Sequence, residues 1–171
     1  MIPDDGSAVV DLETALAGTP AGHKEDLRLW LRILSSANLI ETEVRRRFRE
    51  HFGTTLPRFD LMAQLDREPH GLTLGEISRR MMVSNGNVTG LAASLVAVGW
   101  VERRPHATDR RTQFLTLTAR GRLVFGCQSA AHEQWIAELF GRISQRDRAS
   151  LYRLLGVVKT RVRQALEEEI E

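Results

Sequence analysis

Two asparagines at the start of a short helix are the first side chains in this sequence with a recognisable chemistry. Asn85 and Asn87 follow Ser84, whose hydroxyl can accept a hydrogen bond from a backbone N–H at the beginning of a helix. An asparagine amide matches the N6 and N7 atoms that adenine presents in the major groove of DNA. The same face continues with small residues, Gly90, Ser94 and Ala97. This small, uncharged face fits the groove of a duplex, although an ordinary surface helix poor in charge could also carry it.

A basic hairpin follows this helix and favours the first of these interpretations. Gly99 ends the helix, and the residues of Trp100–Arg104 and Gln113–Leu117 predict two strands. The loop between the strands carries Asp109, Arg110 and Arg111. Arginines at the tip of a hairpin can reach an adjacent minor groove or the phosphates beside it. The helix and the hairpin together therefore predict contact with DNA.

Two helices and a tight turn are needed to position these groups. Apolar residues recur at helical spacing on both sides of the turn at Val83–Asn87. They are Leu74, Ile77 and Met81 in the first helix, and Val88, Leu91, Leu95 and Val98 in the second. Thr118 caps a further helix after the hairpin. Two short helices followed by a hairpin form a winged helix, in which the second helix reads the major groove.

Longer helices are predicted on both sides of this region. Apolar spacing indicates helices over Asp26–Phe52 and Ala119–Phe140, a short helix opened by Pro57, and a last helix after Ser144. The expected buried stripe of the first helix is Leu27, Trp30, Leu31, Ile33, Leu34, Ile40, Val44 and Phe48. The stripe of the last helix is Leu151, Leu154, Leu155, Val158, Val162, Leu166 and Ile170. The winged helix is too small to cover both stripes, so two subunits are expected to cover them across a two-fold axis.

The expected fold class is therefore mainly α with a small β-hairpin wing, a winged helix-turn-helix flanked by N- and C-terminal dimerisation helices. Residues 1–22 are expected to form a flexible arm, and residues 23–56 the N-terminal part of the dimerisation region. Residues 57–121 are the predicted DNA-binding domain, and residues 122–171 the C-terminal dimerisation helices. A symmetric dimer would place its two recognition helices about 34 Å apart, on a palindromic operator.

Five motifs of this sequence resemble the MarR family of bacterial transcription regulators. In chain order they are Leu74-Gly-Glu-Ile-Ser, Val83-Ser-Asn-Gly-Asn-Val-Thr-Gly-Leu, Gly99-Trp-Val-Glu-Arg-Arg, Asp109-Arg-Arg and Leu117-Thr-Ala-Arg-Gly121. The likeness covers residues 24–171. Ala92 and Ala93 stand where the family often has an Asp-Arg pair, which removes one phosphate contact. The resemblance implies a homodimeric repressor of transcription, not an enzyme, that a small-molecule effector releases from double-stranded DNA.

The pattern and the resemblance together assign three sets of DNA-binding residues. The set on the recognition helix is Ser84, Asn85, Asn87, Thr89 and Ser94, of which Asn85, Asn87 and Thr89 are the expected base readers. The phosphate set is Arg79, Arg80, Arg103 and Arg104. The wing-tip set is Asp109, Arg110 and Arg111, in which Asp109 would aim an arginine. Binding through arginine–phosphate contacts should depend steeply on salt.

The resemblance also implies an effector pocket between the dimerisation helices and the winged helix. Effectors of the family are often phenolic or aromatic acids, or their coenzyme A thioesters. The candidate pocket residues are Trp30, Ser36, Arg46, Arg58, Phe59, Met62 and Trp135. The apolar ones also have the spacing of ordinary core residues, so both roles stay open. The basic run Arg45–Arg49 either stabilises the C-terminal end of its helix or binds an anionic group such as the nucleotide of a thioester.

Composition predicts a cytoplasmic protein without a cofactor. The formal net charge of the 171 residues is only +2, but Glu76–Arg122 contains eight arginines and three acidic residues. No apolar run reaches the roughly 18 residues of a membrane span, and no secretory signal pattern is present. The single cysteine, Cys127, cannot form an internal disulfide. The scattered histidines predict no metal site, and no Gly-rich loop is placed to bind nucleotide phosphates.

Three other functions are compatible with the same residues. An architectural DNA-binding protein without an effector would make the same DNA contacts but fill the effector junction. A thiol-based peroxide sensor would use Cys127, although no cation is adjacent in sequence to activate it and a passive packing role is the favoured alternative. A helical interaction protein would use the winged helix to bind another protein, and its binding to DNA would ignore salt.

Overall fold

The computed structural model describes residues 24–105 and 113–168. The chain divides into two compact units between Ser129 and Ala130, within one helix. The predicted arm over residues 1–22 lies outside the described residues, as do Asp109, Arg110 and Arg111 of the wing tip and Ile170 of the last helix. No helix in the described ranges is both long enough and apolar enough to cross a bilayer.

The helices begin and end close to the predicted positions. Their bounds are α1 Glu25–Phe52, α2 Leu56–Asp66, α3 Leu74–Met81, α4 Asn85–Ala97, α5 Ala119–Phe140 and α6 Gln145–Glu168. α1 ends where Gly53 adopts a left-handed backbone with φ of 58°, so that its N–H donates to the carbonyl of Arg49. Pro57 lies in the first turn of α2, where its missing N–H costs no hydrogen bond.

A small antiparallel sheet has the strand order β1-β3-β2. Its strands are β1 Leu72–Thr73, β2 Val101–Pro105 and β3 Gln113–Leu117. Leu72 pairs with Leu115, and Val101 pairs with Leu117. The sequence predicted the two hairpin strands, the first of them one residue early, but it missed β1, because two residues are too few to show an alternating pattern. β1 fixes the segment before α3 to the base of the hairpin.

The helix-turn-helix and the sheet share one apolar core. It consists of Leu61, Met62, Leu65, Leu72, Ile77, Val88, Ala92, Leu95, Val101, Leu115 and Leu117. α4 packs against α2, α3 and β2, so one side of this helix is committed to the core. The opposite side of α4 is consequently held outward in a fixed orientation.

Local hydrogen bonds define the ends of the two short helices. The Thr73 hydroxyl accepts from the Glu76 N–H, and the Glu76 carboxylate accepts from the Thr73 N–H at 2.8 Å, which forms a capping box. Met82 ends α3 in a left-handed conformation with φ of 55°. The Ser84 hydroxyl then accepts from the Asn87 N–H at 3.4 Å, so the predicted cap of α4 is confirmed.

The buried stripe predicted for α1 is wrong over the N-terminal half of the helix. Val44 and Phe48 are buried as predicted. Leu27 and Trp30, by contrast, remain 44% and 55% exposed, and Leu34 is exposed as well. Periodic spacing shows which side chains avoid water, but it does not show whether the covering surface belongs to the same chain.

The second unit contains the end of α5 and the whole of α6. Ser144 caps α6, because the Asp147 N–H donates to the Ser144 hydroxyl at 3.1 Å and that hydroxyl donates to the Asp147 carboxylate at 2.7 Å. No described residue of α6 is buried. The exposed apolar residues include Leu151, Leu154, Leu155, Val158, Val162 and Leu166. The predicted apolar seam is therefore exposed rather than buried over these residues.

Asp60 of α2 is expected to make stability depend on pH. Burial, and then the Glu41 carboxylate, raise the pKa of Asp60 from 3.8 to about 6, while Arg45 opposes the shift. The folded protein binds this proton more tightly than the unfolded chain. Ionisation of Asp60 therefore costs stability as the pH rises from about 4 to about 6, and the full cost persists above that range.

We predict that Asp60→Asn raises the free energy of unfolding by about 1 kcal/mol at pH 7.5. The effect is smaller than the full pKa shift implies, because part of the Asp60 carboxyl stays hydrated. The amide has the same shape but never carries the charge. Urea unfolding at pH 7.5 and pH 4 measures the effect, and the gain should disappear at pH 4. An equal gain at both pH values would contradict this explanation.

Candidate nucleic-acid interface

α4 presents the predicted base-reading amides to solvent. Asn85 and Asn87 lie in the first turn of the helix and are exposed. Neither amide has a side-chain hydrogen-bond partner among residues 24–105 and 113–168. Val88 and Leu95, on the other side of the helix, are fully buried. The hydrogen-bonding groups of both amides therefore remain available to a molecule outside the chain.

The hydroxyl groups of α4 are used differently from its amides. Thr89 Oγ1 donates to the Asn85 carbonyl at 2.8 Å, and Ser94 Oγ donates to the Leu91 carbonyl at 2.6 Å. Thr89 is exposed, whereas Ser94 is half-buried. Because both hydroxyl hydrogens are committed to the helix backbone, these side chains offer an acceptor oxygen, and Thr89 also offers its methyl group.

Two of the predicted phosphate-binding arginines form exposed ion pairs. Arg80 of α3 pairs with Glu68 at 2.8 Å, and Arg104 of β2 pairs with Glu102 at 2.6 Å. The hydrogen bond from Arg104 lowers the pKa of Glu102. Exposed pairs of this kind contribute little to stability. Either arginine can therefore exchange its carboxylate for a phosphate at small cost.

The other two described phosphate candidates flank α4 on neighbouring elements. Arg79 is exposed in the last turn of α3. Arg103 of β2 is exposed and donates to Gln113 Oε1 of β3 at 3.3 Å, across the hairpin. The structure thus places cations on the two elements adjoining α4, which itself carries none.

The basic run Arg45–Arg49 is largely neutralised by glutamates of the same helix. The ion pairs are Arg45–Glu41, Arg46–Glu43, Arg46–Glu50 and Arg47–Glu43. Hydrogen bonds from Arg46 and Arg47 lower the pKa of Glu43 to about 2. The structure therefore supports a helix-stabilising role for Arg46 and offers less positive charge to an anionic ligand than the sequence suggested.

The predicted effector residues do not share one environment. Trp30, Ser36 and Arg46 are exposed on α1, Arg58 is half-buried, and Phe59, Met62 and Trp135 are buried. Phe59 lies at the centre of an aromatic cluster, with ring centroids 4.8 Å from Phe48 and 5.3 Å from Phe125. Phe52 extends the cluster beside Phe48. The role of these residues in effector binding stays a prediction.

Sequence reasoning missed two buried polar side chains, Gln128 and Thr54, which lie near these phenylalanines in the sequence. Gln128 lies one turn after Phe125 on α5 and is only 1% exposed. Thr54 is also buried, and its N–H donates to the Phe48 carbonyl at 3.4 Å. Gln128 Oε1 and Thr54 Oγ1 have no hydrogen-bond partner within the described residues. Unpaired buried acceptors are rare, and no local sequence signal shows which glutamine a fold will bury.

Cys127, for which passive packing was the favoured role, is not packed against the described residues of its own chain. Its thiol is free and exposed on α5, next in sequence to the buried Gln128. Side chains at neighbouring helix positions point in different directions. The apolar character of the cysteine side chain therefore did not show whether Cys127 or Gln128 is directed to the interior. The thiol-sensor alternative stays untested, since exposure by itself confers no reactivity.

Comparison with known proteins agrees with this geometry. Residues 52–112 match the model of the MarR family. Over 100 residues the chain is 32% identical to the transcriptional activatory protein BadR of Rhodopseudomonas palustris. This alignment covers 57% of each protein. A crystal structure of a MarR family transcriptional regulator from Silicibacter pomeroyi matches with a TM-score of 0.70 and 33% identity, over 83% of this chain and 99% of that chain. The chain belongs to the MarR family.

The curated relatives that this MarR-family chain matches are named as transcription regulators, a non-enzymatic role. The chain shares its fold with Sco3205 of Streptomyces coelicolor, a MarR family regulator solved in complex with DNA, at a TM-score of 0.70 and 23% identity over 82% of this chain and 89% of that chain. The mainly helical winged-helix fold predicted from the sequence is confirmed. The chain spans 46% to 62% of the length of the first curated relatives that it matches. Repression, dimerisation and effector response are therefore matters for proposal.

Proposed function

We propose that this regulator is a cytoplasmic homodimer that binds a palindromic operator and represses transcription until a small-molecule effector releases it. The observation that carries the proposal is the outward face of α4, where the amides of Asn85 and Asn87 are exposed and unpartnered. Exposed arginines on α3 and β2 lie on either side of that helix in the chain and supply sequence-independent affinity for phosphates. Arg110 and Arg111 of the wing would add to this affinity, with Asp109 orienting them.

Uncovered apolar helix faces support the two-fold dimer. α6 exposes a stripe that includes Leu151, Leu155 and Val158, and α1 exposes Leu27 and Trp30. Contiguous apolar surface of this extent is unusual on a soluble monomer and marks an interaction site. An isologous interface built from these faces would pair two identical DNA-binding domains, which is what a palindromic site requires.

The aromatic cluster around Phe59 supports a small aromatic acid as the effector. Phenylalanine rings bind a further aromatic ring well, and the unpaired Gln128 Oε1 could accept a hydrogen bond from a phenol or protonated acid. The pairing of Arg46 with Glu43 and Glu50 weakens the case for a thioester, because the nucleotide of such a ligand needs free cations. An effector would act by favouring one spacing of the two recognition helices over another.

Activation of transcription is the second candidate. The curated relative that is 32% identical over 100 residues is named as an activatory protein. The same DNA contacts serve an activator or a repressor, since the outcome depends on where the operator lies relative to the promoter. In vitro transcription from a promoter that contains the selected operator would distinguish the two.

We predict that Asn87→Ala weakens binding to a duplex recovered by selection from a random library by about 5- to 100-fold, without loss of stability. The amide is exposed and makes no side-chain hydrogen bond among the described residues, so its removal should affect mainly the contact with DNA. Fluorescence anisotropy at fixed salt measures the change. Asn38→Ala is the matched control, because Asn38 is an exposed asparagine on α1, away from α4. Equal effects of the two substitutions would remove Asn87 from the interface.

Effector release is tested with benzoate, salicylate and their coenzyme A thioesters. We expect one of the free acids to raise the melting temperature and to lower the affinity for the selected duplex. Gln128→Leu should keep the fold, because it removes an unpaired acceptor, and should reduce the response. A wild-type protein that ignores all of these compounds in both measurements would favour the effector-independent DNA-binding protein.

A further inference from the structure

The chemistry of α4 restricts which bases it can read. We propose that the major-groove positions contacted by α4 are A·T pairs, with adenine read by the asparagine amides and thymine by methyl contacts. This inference rests on the proposed sequence-specific binding and names the class of DNA that the same surface selects. It follows from three features of the helix: the absence of charge, the committed hydroxyls and the free amides.

The absence of charge removes the strongest contacts to G·C pairs. Guanine presents N7 and O6 as two acceptors, which arginine or lysine reads, while the N4 amine of cytosine is read by aspartate or glutamate. The sequence contains no Arg, Lys, Asp or Glu between Arg80 and Glu102, a stretch that includes all of α4. α4 therefore has neither a cationic donor for guanine nor a carboxylate for cytosine.

The hydroxyls of α4 cannot compensate for the missing cations. Thr89 and Ser94 give their hydroxyl hydrogens to backbone carbonyls at 2.8 Å and 2.6 Å, so neither can donate to guanine N7 or O6. The exposed Thr89 still presents a methyl group, and Ala93 presents another on the exposed side of the helix. Methyl groups make apolar contacts with the C5-methyl of thymine.

The amides complete the pattern. An asparagine side chain pairs one donor with one acceptor, which matches the N7 acceptor and the N6 donor of adenine in a bidentate contact. Asn85 and Asn87 occupy the N-terminal turn of the recognition helix, the part that contacts base edges in helix-turn-helix proteins. Gly86 and Gly90 lie on the open side of the helix, with no atom within 4 Å of the place where a Cβ would lie. Because glycine has no side chain, the helix backbone can approach the bases closely at these two positions.

The arginines of the winged helix are placed for phosphate contact. Arg79 and Arg80 end α3, and Arg103 and Arg104 belong to β2, so none of the four lies on the helix expected to enter the groove. Cations outside the recognition helix fit the sugar–phosphate backbone, which fixes the register without reading sequence. The helix itself therefore lacks the arginine or lysine that most often reads guanine.

The test begins with selection of duplexes from a random library by the full-length protein. The selected duplex is then resynthesised in three forms: 7-deazaadenine for adenine, 7-deazaguanine for guanine, or uracil for thymine. The deaza bases remove the N7 acceptor in the major groove, and uracil removes the thymine methyl. We expect 7-deazaadenine to raise the dissociation constant at least about tenfold and uracil about threefold or more, while 7-deazaguanine changes it less than about twofold.

Asn87→Ala connects the base effect to the residue. In this variant the 7-deazaadenine penalty should shrink to a small fraction of the wild-type penalty, whereas Asn38→Ala should keep it in full. A selected site whose shared positions are G·C, or a tenfold loss with 7-deazaguanine, would overturn the A·T inference while leaving sequence-specific binding intact. Selection that enriches no common sequence would instead overturn the sequence-specific regulator itself, and the inference with it.

Discussion

Gly121→Ala is expected to lower the free energy of unfolding by about 3 kcal/mol or more, enough to leave a marginally stable domain largely unfolded. A Cβ at this position would lie 1.9 Å from the Trp100 carbonyl oxygen and 2.8 Å from its carbonyl carbon. Both are backbone atoms, so no side-chain rotation relieves the clash. α5 would have to move away from the segment that joins α4 to β2.

The same displacement would break the hydrogen bonds that hold the start of α5. The Thr118 N–H donates to the Trp100 carbonyl at 3.0 Å, and the Thr118 hydroxyl donates to the Gly99 carbonyl at 2.8 Å. The Thr118 N–H and hydroxyl would then make longer or no hydrogen bonds, which lowers the free energy of unfolding further. A folded variant would therefore also have lost the orientation of the hairpin next to α4.

Urea unfolding followed by circular dichroism measures the effect of Gly121→Ala. Gly126→Ala is the matched control, because Gly126 lies on the same helix and has no atom within 4 Å of its missing Cβ. This control should gain about 0.5–1 kcal/mol, since alanine favours a helix over glycine. If the two variants changed stability in the same direction, the close approach of α5 to Trp100 would not be the reason for glycine at position 121.

Leu155→Glu is expected to convert the proposed dimer into monomers and to weaken binding to the palindromic duplex by at least about 100-fold. Leu155 is 48% exposed, in the middle of the apolar stripe of α6. Burying a carboxylate without a partner in an apolar interface costs several kcal/mol. A monomer would contact only one half-site, so the second contact would no longer be intramolecular.

Gln164→Glu is the control for this substitution. Gln164 lies nine residues after Leu155, two and a half helical turns later, and so on the opposite side of α6. It accepts a hydrogen bond from Arg161 at 3.3 Å, which a glutamate can also accept. Light scattering against the 19.3 kDa subunit mass gives the oligomeric state. A dimeric Leu155→Glu protein with unchanged DNA affinity would place the subunit interface elsewhere.

The residues of the chain determined the local structure through contacts only a few positions apart. Ser84 caps α4, Ser144 caps α6, and Gly53 ends α1 in a left-handed turn, because each of these devices uses backbone groups of the next or previous turn. The outward position of Asn87 was predictable for the same reason. Once Val88 and Leu95 are directed to the core, helical geometry decides where the amide points.

Longer-range features were decided only by tertiary structure. β1 exists because Leu72 pairs with Leu115, some forty residues later in the chain. A two-residue strand is too short for an alternating pattern that would predict it. Gln128 is buried and Cys127 exposed because of how α5 is rotated against its neighbours, which hydrophobicity did not encode.

The exposed half of α1 is the clearest example of this limit. Its apolar spacing predicted a buried surface, but Leu27 and Trp30 remain exposed in the single chain. The hydrophobic effect is non-directional, so it requires that such side chains be covered without specifying by which molecule. Local sequence therefore determined the helices, their caps and the solvent-facing side of α4. Tertiary packing decided which side chains of the flanking helices a single subunit can bury, because burial depends on surfaces that lie far away in the chain.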